Sequence, residues 1–445
     1  MVIKKRESNE HDNKNLFKNE LISFFSIIFS VFLFWVMMIS HFWFLIWICF
    51  APAFFVVKRE KILPLFLFCL LFVVLLNITS FYWFTRYEMK LLFISILLMG
   101  VFGFFLCSLS KLLSFNRVLE ILCIPILWTG LVLLFSFNPL GSAWVNFAFF
   151  WPMMAPLIWF IKGIGVTFLI ILNNSLIAEY FYKRNKKVLM VILILFLVIV
   201  FCFVYSYYGK TNGKEIKVAL IQGNNYENWF WRVRNVNILL DKYENLSLNI
   251  AKENPDFIIW PEYSIPEDIL LNTSLYNRIS NLAKKTNSYL VVGTLIFTNQ
   301  SLKGPFDNKT DSFLVFSPEG ELVGRYDSIR PMVFDYSVLP GKDFKDEIKT
   351  KKANFLIRIC FEELDPRLFK KNSDFILIAV NNQVFDNSYG MELISLFSSL
   401  RAVENKKFVL RASNDGITQI INPYGKVISR LEPYKEGILF SKIYV

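Results

Sequence analysis

One cysteine stands where a thiol could do chemistry. Cys360 lies in FLIRICFEELDP, residues 355–366, and is the single cysteine after residue 202. The apolar residues 355–359 predict a buried strand, and the acidic, proline-ended sequence that follows predicts the turn where the strand ends. A thiol at a strand end is well placed to act as a nucleophile. A lone cysteine is also commonly a small buried hydrophobe, and this stretch alone leaves both interpretations open.

A nucleophilic thiol needs a base, and the second half of the chain contains no histidine. The two histidines are His11 and His41, which excludes a Ser-His-Asp triad, a Cys-His pair and a histidine-bound metal downstream. A carboxylate is the remaining candidate base. Glu262 closes the predicted strand DFIIWPE, and Glu362 lies two residues after Cys360. A surface glutamate is most often only solvated, but we expect Glu262 to line a cleft because it follows an apolar strand and a Trp-Pro pair.

The composition divides the chain into an anchor and a globular part. Apolar residues make up 55% of the chain and aromatic residues 17%, too many for an ordinary soluble protein. Residues 1–20 predict a basic cytoplasmic tail, residues 21–208 a transmembrane helical domain, and residues 209–445 a globular domain. Many of the basic residues behind the net charge of +12 lie between apolar blocks, which indicates membrane topology rather than a nucleic-acid partner. Five of the six cysteines lie inside those blocks, so the globular domain has no disulfide framework.

Seven apolar segments are each close to the ~20 residues that cross a hydrocarbon core. Their predicted limits are 21–39, 42–57, 62–84, 91–110, 118–137, 154–181 and 188–208. Lys and Arg collect before the first segment and after the second, fourth and sixth, which predicts a cytoplasmic N-terminus and an extracytoplasmic globular domain. Residues 138–152 are rich in aromatic side chains, which is typical either of an aromatic belt or of the roof of a lipid-facing groove. Lys162 and Glu179 fall in or near the sixth segment, where an ion is costly enough to indicate function.

The globular part alternates short apolar strands with helical stretches. Two hairpins interrupt this alternation, one turning at PEG (318–320) and one at NPYG (422–425). Strands, helices and hairpins in this order predict a two-layer or four-layer α/β sandwich. In that architecture the strands that precede Glu262 and Cys360 bring both residues to strand ends.

Several motifs resemble the nitrilase (carbon-nitrogen hydrolase) superfamily, and behind a polytopic membrane domain they resemble the bacterial apolipoprotein N-acyltransferases. The motifs of the globular part are LIQGN (220–224) with Trp231 seven residues later, WPE (260–262), GRY (324–326), RICFEE (358–363), VNNQVF (380–385) and RAVENKKFVLRASNDGIT (401–418). FYWF (81–84), WTG (128–130) and GSAWVNFAF (141–149) look like aromatic segments of the family's membrane part. The long block 401–418 is specific, whereas WPE alone is weak.

The resemblance implies acyl transfer in two steps. Cys360 would attack an ester of a membrane phospholipid with Glu262 as base, and the acyl thioester would then be taken by the α-amine of a lipoprotein's diacylglyceryl cysteine. It also implies supporting site residues, which are Trp231, Phe361, Glu362, Asn381 and Asn414. No cofactor, metal or nucleic acid is implied, and the expected protein is a monomer in the bacterial cytoplasmic (inner) membrane.

The chain departs from the family pattern at three places. Ser328 occupies the position where the family has a lysine that stabilises the oxyanion. The lipid-facing arm before Cys360 is abbreviated, with Asp335 as the nearest acid to the family's essential glutamate, and the family's final C-terminal span is not present. Three hypotheses therefore stay open: a working lipoprotein N-acyltransferase, an acyltransferase-like protein that binds a lipid or a partner without chemistry, and a membrane-tethered amidase or acyltransferase for another amine.

Overall fold

The computed structural model describes two compact units, one formed mainly by residues 1–133 and 163–201 and the other mainly by residues 202–445. The described residues are 2–81, 89–135, 146–225, 229–297, 309–331, 338–341, 347–370, 372–382, 385 and 389–445. Asp335 and residues 138–145 of the aromatic segment lie outside them.

The first seven helices contain the apolar blocks of the sequence. They are α1 (Val2–Ser40), α2 (Ala51–Arg59), α3 (Ile62–Phe81), α4 (Met89–Leu112), α5 (Arg117–Phe135), α6 (Ala155–Lys183) and α7 (Lys186–Tyr208). Four described helical stretches are long and apolar enough to cross a membrane, namely Lys18–Ser40, Arg117–Phe135, Ala155–Lys183 and Lys186–Tyr208. Shorter apolar stretches lie in α3 and α4. The polytopic helical domain is therefore present, and its count of seven spans stays a prediction.

The predicted second span, residues 42–57, is not one continuous helix. It forms a 3-10 turn over Trp43–Trp47 followed by α2, whose nine residues rise only ~14 Å, about half of a hydrocarbon core. The side chain of Asn174 explains why the break is tolerated. It accepts a hydrogen bond from the Phe50 N–H at 2.9 Å and donates one to the Ile46 carbonyl at 3.0 Å, so backbone groups freed by the break are satisfied inside the unit.

The described end of the aromatic segment is packed inside the first unit. Phe147–Phe150 forms a 3-10 turn in which all residues are buried. Its N-terminus is capped by Asn146, whose Oδ1 accepts hydrogen bonds from Ala148 N at 3.3 Å and from the Thr167 hydroxyl at 2.7 Å. An aromatic belt needs rings at the surface, so that interpretation is wrong for these four residues.

The two charged residues singled out in the sixth segment differ in their surroundings. Lys162 is exposed, and its φ of 61° interrupts the helical conformation of α6. Glu179 is fully buried and is paired with Lys58 at 3.0 Å, Arg117 at 2.8 Å and Lys183 at 3.8 Å. A buried carboxylate with three cationic partners is compensated, so Glu179 has a structural explanation.

The second unit is a four-layer α/β sandwich. The strands are β1 (Glu215–Gln222), β2 (Phe257–Ile259), β3 (Tyr289–Phe297), β4 (Lys309–Phe316), β5 (Leu322–Asp327), β6 (Glu347–Lys349), β7 (Asn354–Ile359), β8 (Phe375–Val380), β9 (Phe408–Ser413), β10 (Thr418–Ile421), β11 (Val427–Leu431) and β12 (Gly437–Tyr444). The first sheet has the order β12-β1-β2-β3-β4-β5 and the second the order β11-β10-β9-β8-β7-β6. The helices are α8 (Trp229–Arg234), α9 (Val236–Ile250), α10 (Thr273–Thr286) and α11 (Tyr389–Asn405). The predicted α/β sandwich is thereby confirmed in its four-layer form.

Alternating apolar residues of the strands build the layers. Phe257 packs edge-on against Phe355 and Phe375, with ring centroids 5.4 and 5.5 Å apart, and these rings lie in the core between the two sheets. On the other face of the first sheet, Trp260 stacks on Tyr243 of α9 at 4.9 Å. Burying each such aromatic side chain stabilises the fold by roughly 1.5–3 kcal/mol. These contacts pack both faces of the first sheet, and those of Phe257, Phe355 and Phe375 lie at the starts of their strands.

Parallel pairing places those strand ends together. β1 and β3 flank β2 in parallel in the first sheet, and β7 and β9 flank β8 in parallel in the second. Carboxyl ends of parallel strands meet at one edge of a sheet. Glu262 follows β2, and Cys360 and Asn381 follow β7 and β8 at once, so all three side chains start from such an edge.

Candidate active site

Cys360 is held in a strained turn. It is the first residue after β7 and begins a 3-10 turn that runs to Leu364. Its φ is 50°, in the left-handed region that costs an ordinary L-residue roughly 1–2 kcal/mol. Such strain persists only where the surrounding structure imposes it, and here it directs a partly buried thiol out of the sheet edge.

Glu262 meets that thiol. Its carboxylate is buried, accepts a hydrogen bond from the backbone N–H of Asn381, and is hydrogen-bonded to the Cys360 thiol. The two residues come from different sheets, 98 positions apart in the sequence. The candidate base and the candidate nucleophile of the sequence analysis are therefore in direct contact.

Glycine at position 293 of β3 makes room for the Glu262 backbone. A Cβ atom there would lie 2.2 Å from the Pro261 carbonyl oxygen and 3.1 Å from the Glu262 Cα. The Gly293 carbonyl also accepts hydrogen bonds from Ile265 N at 3.0 Å and from the Ser264 hydroxyl at 2.9 Å. This close approach fixes the loop that carries Glu262 against the sheet.

The electrostatics favour a neutral thiol and a basic carboxylate near neutral pH. Burial raises the pKa of Glu262 to about 7, an effect opposed by hydrogen bonds from its neighbours and by the charge of Arg232. Burial also raises the pKa of Cys360 well above its usual range, and the negative charge of Glu262 raises it further. A preformed thiolate is thus disfavoured, so Cys360 needs a base that removes its proton during attack.

Glu362 is a hydrogen-bond acceptor at the centre of the turn rather than a second base. Its carboxylate oxygens accept from the Tyr326 hydroxyl at 2.8 Å and from the Ser328 hydroxyl at 3.1 Å. Three backbone N–H groups also donate to it, from Ile359, Ile329 and Arg330, at 2.8, 2.8 and 3.1 Å. Glu362 thereby joins the turn after β7 to the segment after β5, and Ser328 contributes a neutral donor where the resemblance implies a cation.

Glu362→Gln is expected to destabilise the site because an amide cannot accept from all of these donors. The NH2 group of glutamine would face N–H donors, leaving buried groups unpaired at a cost of about 2–4 kcal/mol. Ser328→Ala removes one neutral donor and should cost about 1 kcal/mol. Glu362→Gln should therefore be less stable than Ser328→Ala, and thermal unfolding of the two purified variants tests this order. Equal stability of both variants would contradict the assignment of Glu362 as the acceptor that holds the turn.

The remaining predicted residues lie at different distances from this contact. Asn381 binds Glu262 through its backbone N–H, and Phe361 follows Cys360 in the 3-10 turn, half-buried. Trp231 lies half-buried on α8. The Asn414 side chain is bound to Asn225 and Tyr243, so it links the ends of β9 and β1 rather than the Glu262–Cys360 contact itself. Asp335 is outside the described residues.

Two buried charged residues of the site escaped the sequence analysis. Asp311 in β4 is hydrogen-bonded to the Glu262 side chain and to Tyr263. Arg232 in α8 is fully buried, donates to the Tyr263 carbonyl and lowers the pKa of both Glu262 and Asp415. An aspartate in the polar first half of β4, directly before an apolar run, and an arginine directly after Trp231 were the available signals.

The comparisons with known proteins agree with this geometry. The family model named carbon-nitrogen hydrolase matches residues 217–444, just over half of the 445 residues. An apolipoprotein N-acyltransferase of Wigglesworthia glossinidia brevipalpis is 26% identical over 63% of this chain and 60% of its own length. One of Geobacter metallireducens is 28% identical over 72% of this chain and 67% of its own. This chain spans between about half and two thirds of the length of such curated relatives.

Among solved structures, an amidase from Nesterenkonia sp. aligns with a TM-score of 0.44 and 15% identity, over 53% of this chain and 93% of the amidase. The matched family range begins in β1 and ends in β12, so it covers both sheets and every residue of the Glu262–Cys360 site. This chain belongs to the carbon-nitrogen hydrolase family.

Proposed function

We propose that this protein is an apolipoprotein N-acyltransferase. It moves an acyl chain from a membrane phospholipid, through a thioester on Cys360, to the α-amine of the diacylglyceryl cysteine of lipoproteins. The observation that carries the proposal is the hydrogen bond between Glu262 and the Cys360 thiol in a carbon-nitrogen hydrolase domain. The names of the relatives and the apolar helices of the same chain support lipid substrates.

In the first half-reaction the Glu262 carboxylate takes the proton of the Cys360 thiol as the sulfur attacks the ester carbonyl. The S–C bond forms, the ester C–O bond breaks, and the protonated Glu262 gives its proton to the departing lysophospholipid oxygen. The acyl group is then a thioester on Cys360. A base with a pKa near neutrality suits both directions of this proton transfer.

In the second half-reaction the neutral α-amine of the lipoprotein attacks the thioester carbonyl. The N–C bond forms, the S–C bond breaks, and Glu262 carries a proton from the nitrogen to the leaving sulfur. A thioester keeps the acyl group reactive toward an amine, and no cofactor or metal takes part. Supporting roles fall to Glu362, Phe361, Asn381, Asn414 and Trp231, while Asp335 stays a candidate by resemblance only.

The proposed location is the bacterial cytoplasmic (inner) membrane, with a monomeric protein whose N-terminus is cytoplasmic and whose second unit is extracytoplasmic. Lys58 and Lys183 both border apolar helices on the side where the sequence predicts the cytoplasm. Phospholipid and lipoprotein then share one membrane, so each substrate reaches Cys360 by lateral diffusion.

Ser328→Lys is expected not to increase the rate. We infer that buried Arg232, whose charge favours the anionic form of Glu262, already supplies a cation near this site; Arg411 is ion-paired with Glu363 at 3.2 Å, so its charge is offset. A lysine at the buried position 328 overpacks its surroundings, at about 1–3 kcal/mol. Initial rates of acyl transfer test this. A tenfold increase in the variant would mean that the missing cation limits the wild-type rate.

The proposal is tested by supplying phospholipid vesicles and a diacylglyceryl peptide to the purified full-length protein. We expect a triacylated peptide whose new acyl group is an amide, identified by mass spectrometry. Release of free fatty acid without peptide acylation would instead indicate that water takes the acyl group from Cys360, as in a hydrolase. Binding of phospholipid with neither product would indicate the lipid-binding alternative, which is suggested by the presence of Ser328 where the family has a lysine.

A further inference from the structure

The contact between the Asp311 and Glu262 carboxyl groups requires that one of them is protonated. The two carboxyl groups are hydrogen-bonded to each other, and both are buried. Two carboxylates have no proton to donate, so this hydrogen bond exists only if one of the pair is a carboxylic acid. Glu262 also accepts from the Cys360 thiol and the Asn381 N–H and faces the charge of Arg232, which together favour its carboxylate form, whereas Asp311 Oδ1 receives no hydrogen bond from any described donor. The proton of the pair therefore belongs on Asp311.

The backbone of β4 holds Asp311 in this place. Asp311 is opposite Leu295 of β3 on one side, and its carbonyl accepts the Ser328 N–H at 2.8 Å on the other. β4 is buried along its whole length, so the Asp311 side chain is shielded from bulk water. It is fixed beside the loop that carries Glu262 and cannot ionise at low cost.

We propose that Asp311 is a positioning residue that stays protonated and donates its hydrogen bond to the Glu262 carboxylate, orienting that carboxylate toward the Cys360 thiol. This inference rests on the proposed role of Glu262 as base. The proton taken from the Cys360 thiol in the first half-reaction and the proton taken from the amine in the second both pass through Glu262, while the Asp311 proton stays on its own oxygen. Asp311 thus acts through Glu262 and does not touch the reacting carbonyl.

The surrounding charges also favour a protonated Asp311 and an ionised Glu262. Burial is the main cause that raises the pKa of Asp311, and the charges of Glu262 and, more weakly, of Glu362 in the turn after β7 raise it further. Arg232 from α8 stabilises the anionic form of Glu262, and Tyr263 is hydrogen-bonded to Asp311. Cys360 completes the group facing Glu262. One negative charge on the pair, centred on Glu262, is the arrangement that these neighbours favour.

The test uses three variants of the full-length protein and two readouts. Asp311→Asn keeps an N–H donor toward Glu262, Asp311→Ala removes it, and Asp327→Asn is the matched control on the neighbouring strand. One readout is the rate at which iodoacetamide alkylates Cys360 as a function of pH, quantified on the Cys360 peptide. The other is the pH dependence of acyl transfer to a diacylglyceryl peptide.

We expect the wild-type alkylation rate to rise with pH through about 7, as Glu262 loses its proton. In Asp311→Asn the midpoint of this rise should stay within about half a pH unit of the wild-type value, because the amide still donates to Glu262. Asp311→Ala should move it upward by about one unit and slow alkylation at pH 7 about fivefold to tenfold, because the Glu262 anion loses a donor. Asp327→Asn should leave the profile unchanged.

If Asp311 were ionised instead, its replacement by asparagine would remove a neighbouring negative charge. The rise would then move downward by more than one unit in Asp311→Asn, and this result would overturn the proposal. An Asp311→Asn profile shifted upward as in Asp311→Ala would overturn it too. If Asp311→Ala does not fold, the asparagine variant alone decides. The alkylation readout needs no acyl transfer, so a failure of the proposed function leaves this test intact and shows separately as missing peptide product.

Discussion

Cys360→Ala is expected to abolish N-acyl transfer, with a loss of about 10⁴-fold or more. Alanine leaves the strained turn in place but removes the sulfur on which both half-reactions depend. The 3-10 turn and the hydrogen bonds of Glu362 do not involve the Cys360 side chain, so the variant should fold. Formation of triacylated peptide by the purified variant, followed by mass spectrometry, measures the effect.

Cys69→Ala is the control for this experiment. Cys69 is a partly buried cysteine in α3 of the other unit, and its loss should leave acyl transfer within about twofold of wild type. Retained activity in Cys360→Ala, in the assay or in cells that depend on the protein, would favour a lipid-binding or partner-binding role without chemistry. Loss in both cysteine variants would point to damage of the fold rather than of the site.

Glu262→Gln is the second change with a large expected effect. Glutamine has the same shape and its carbonyl oxygen still accepts from the Asn381 N–H, but it cannot take up the thiol proton. We expect kcat to fall about 10²–10⁴-fold, the usual contribution of a general base. The residual rate should also lose the rise through about pH 7 that the pKa of Glu262 gives to the wild type. Measuring kcat and kcat/KM between pH 5 and pH 9 tests both statements.

Glu267→Gln is the matched control, since Glu267 lies five residues further in the same loop and binds Asn272 at 2.7 Å instead. Stability gives a second check with a defined sign. The pKa of Glu262 is raised from 4.5 to about 7 on folding, so this group's contribution to stability is complete below pH 4.5 and is lost as the pH rises toward 7. Glu262→Gln should therefore gain stability relative to wild type over that range, whereas Glu267→Gln should not.

The pair at the centre of the site was accessible from sequence because each residue ends an apolar strand. Short apolar runs before Glu262 and Cys360 predicted strands, and the absence of histidine after His41 left a carboxylate as the base. Both inferences depend only on local pattern and on elimination. The four-layer sandwich then brings the two strand ends together by packing the two sheets against each other, which no local pattern encodes.

Asp311 and Arg232 could not be found in this way because their roles depend on partners distant in sequence. Asp311 resembles any polar interruption of a strand until β4 pairs with β3 and brings it to Glu262. The break in segment 42–57 was missed for the same reason. Its apolar composition predicts a span, and only the side chain of Asn174, more than a hundred residues later, makes the irregular backbone acceptable.

The central claim, that Cys360 carries the acyl group, is tested most directly by trapping the intermediate. The purified protein is incubated with phospholipid vesicles without any amine acceptor, quenched in acid and digested. We predict an acyl adduct on the Cys360 peptide that hydroxylamine removes, as expected of a thioester, and that disappears when diacylglyceryl peptide is added. An unmodified Cys360, under conditions in which a related apolipoprotein N-acyltransferase becomes acylated, would contradict the account.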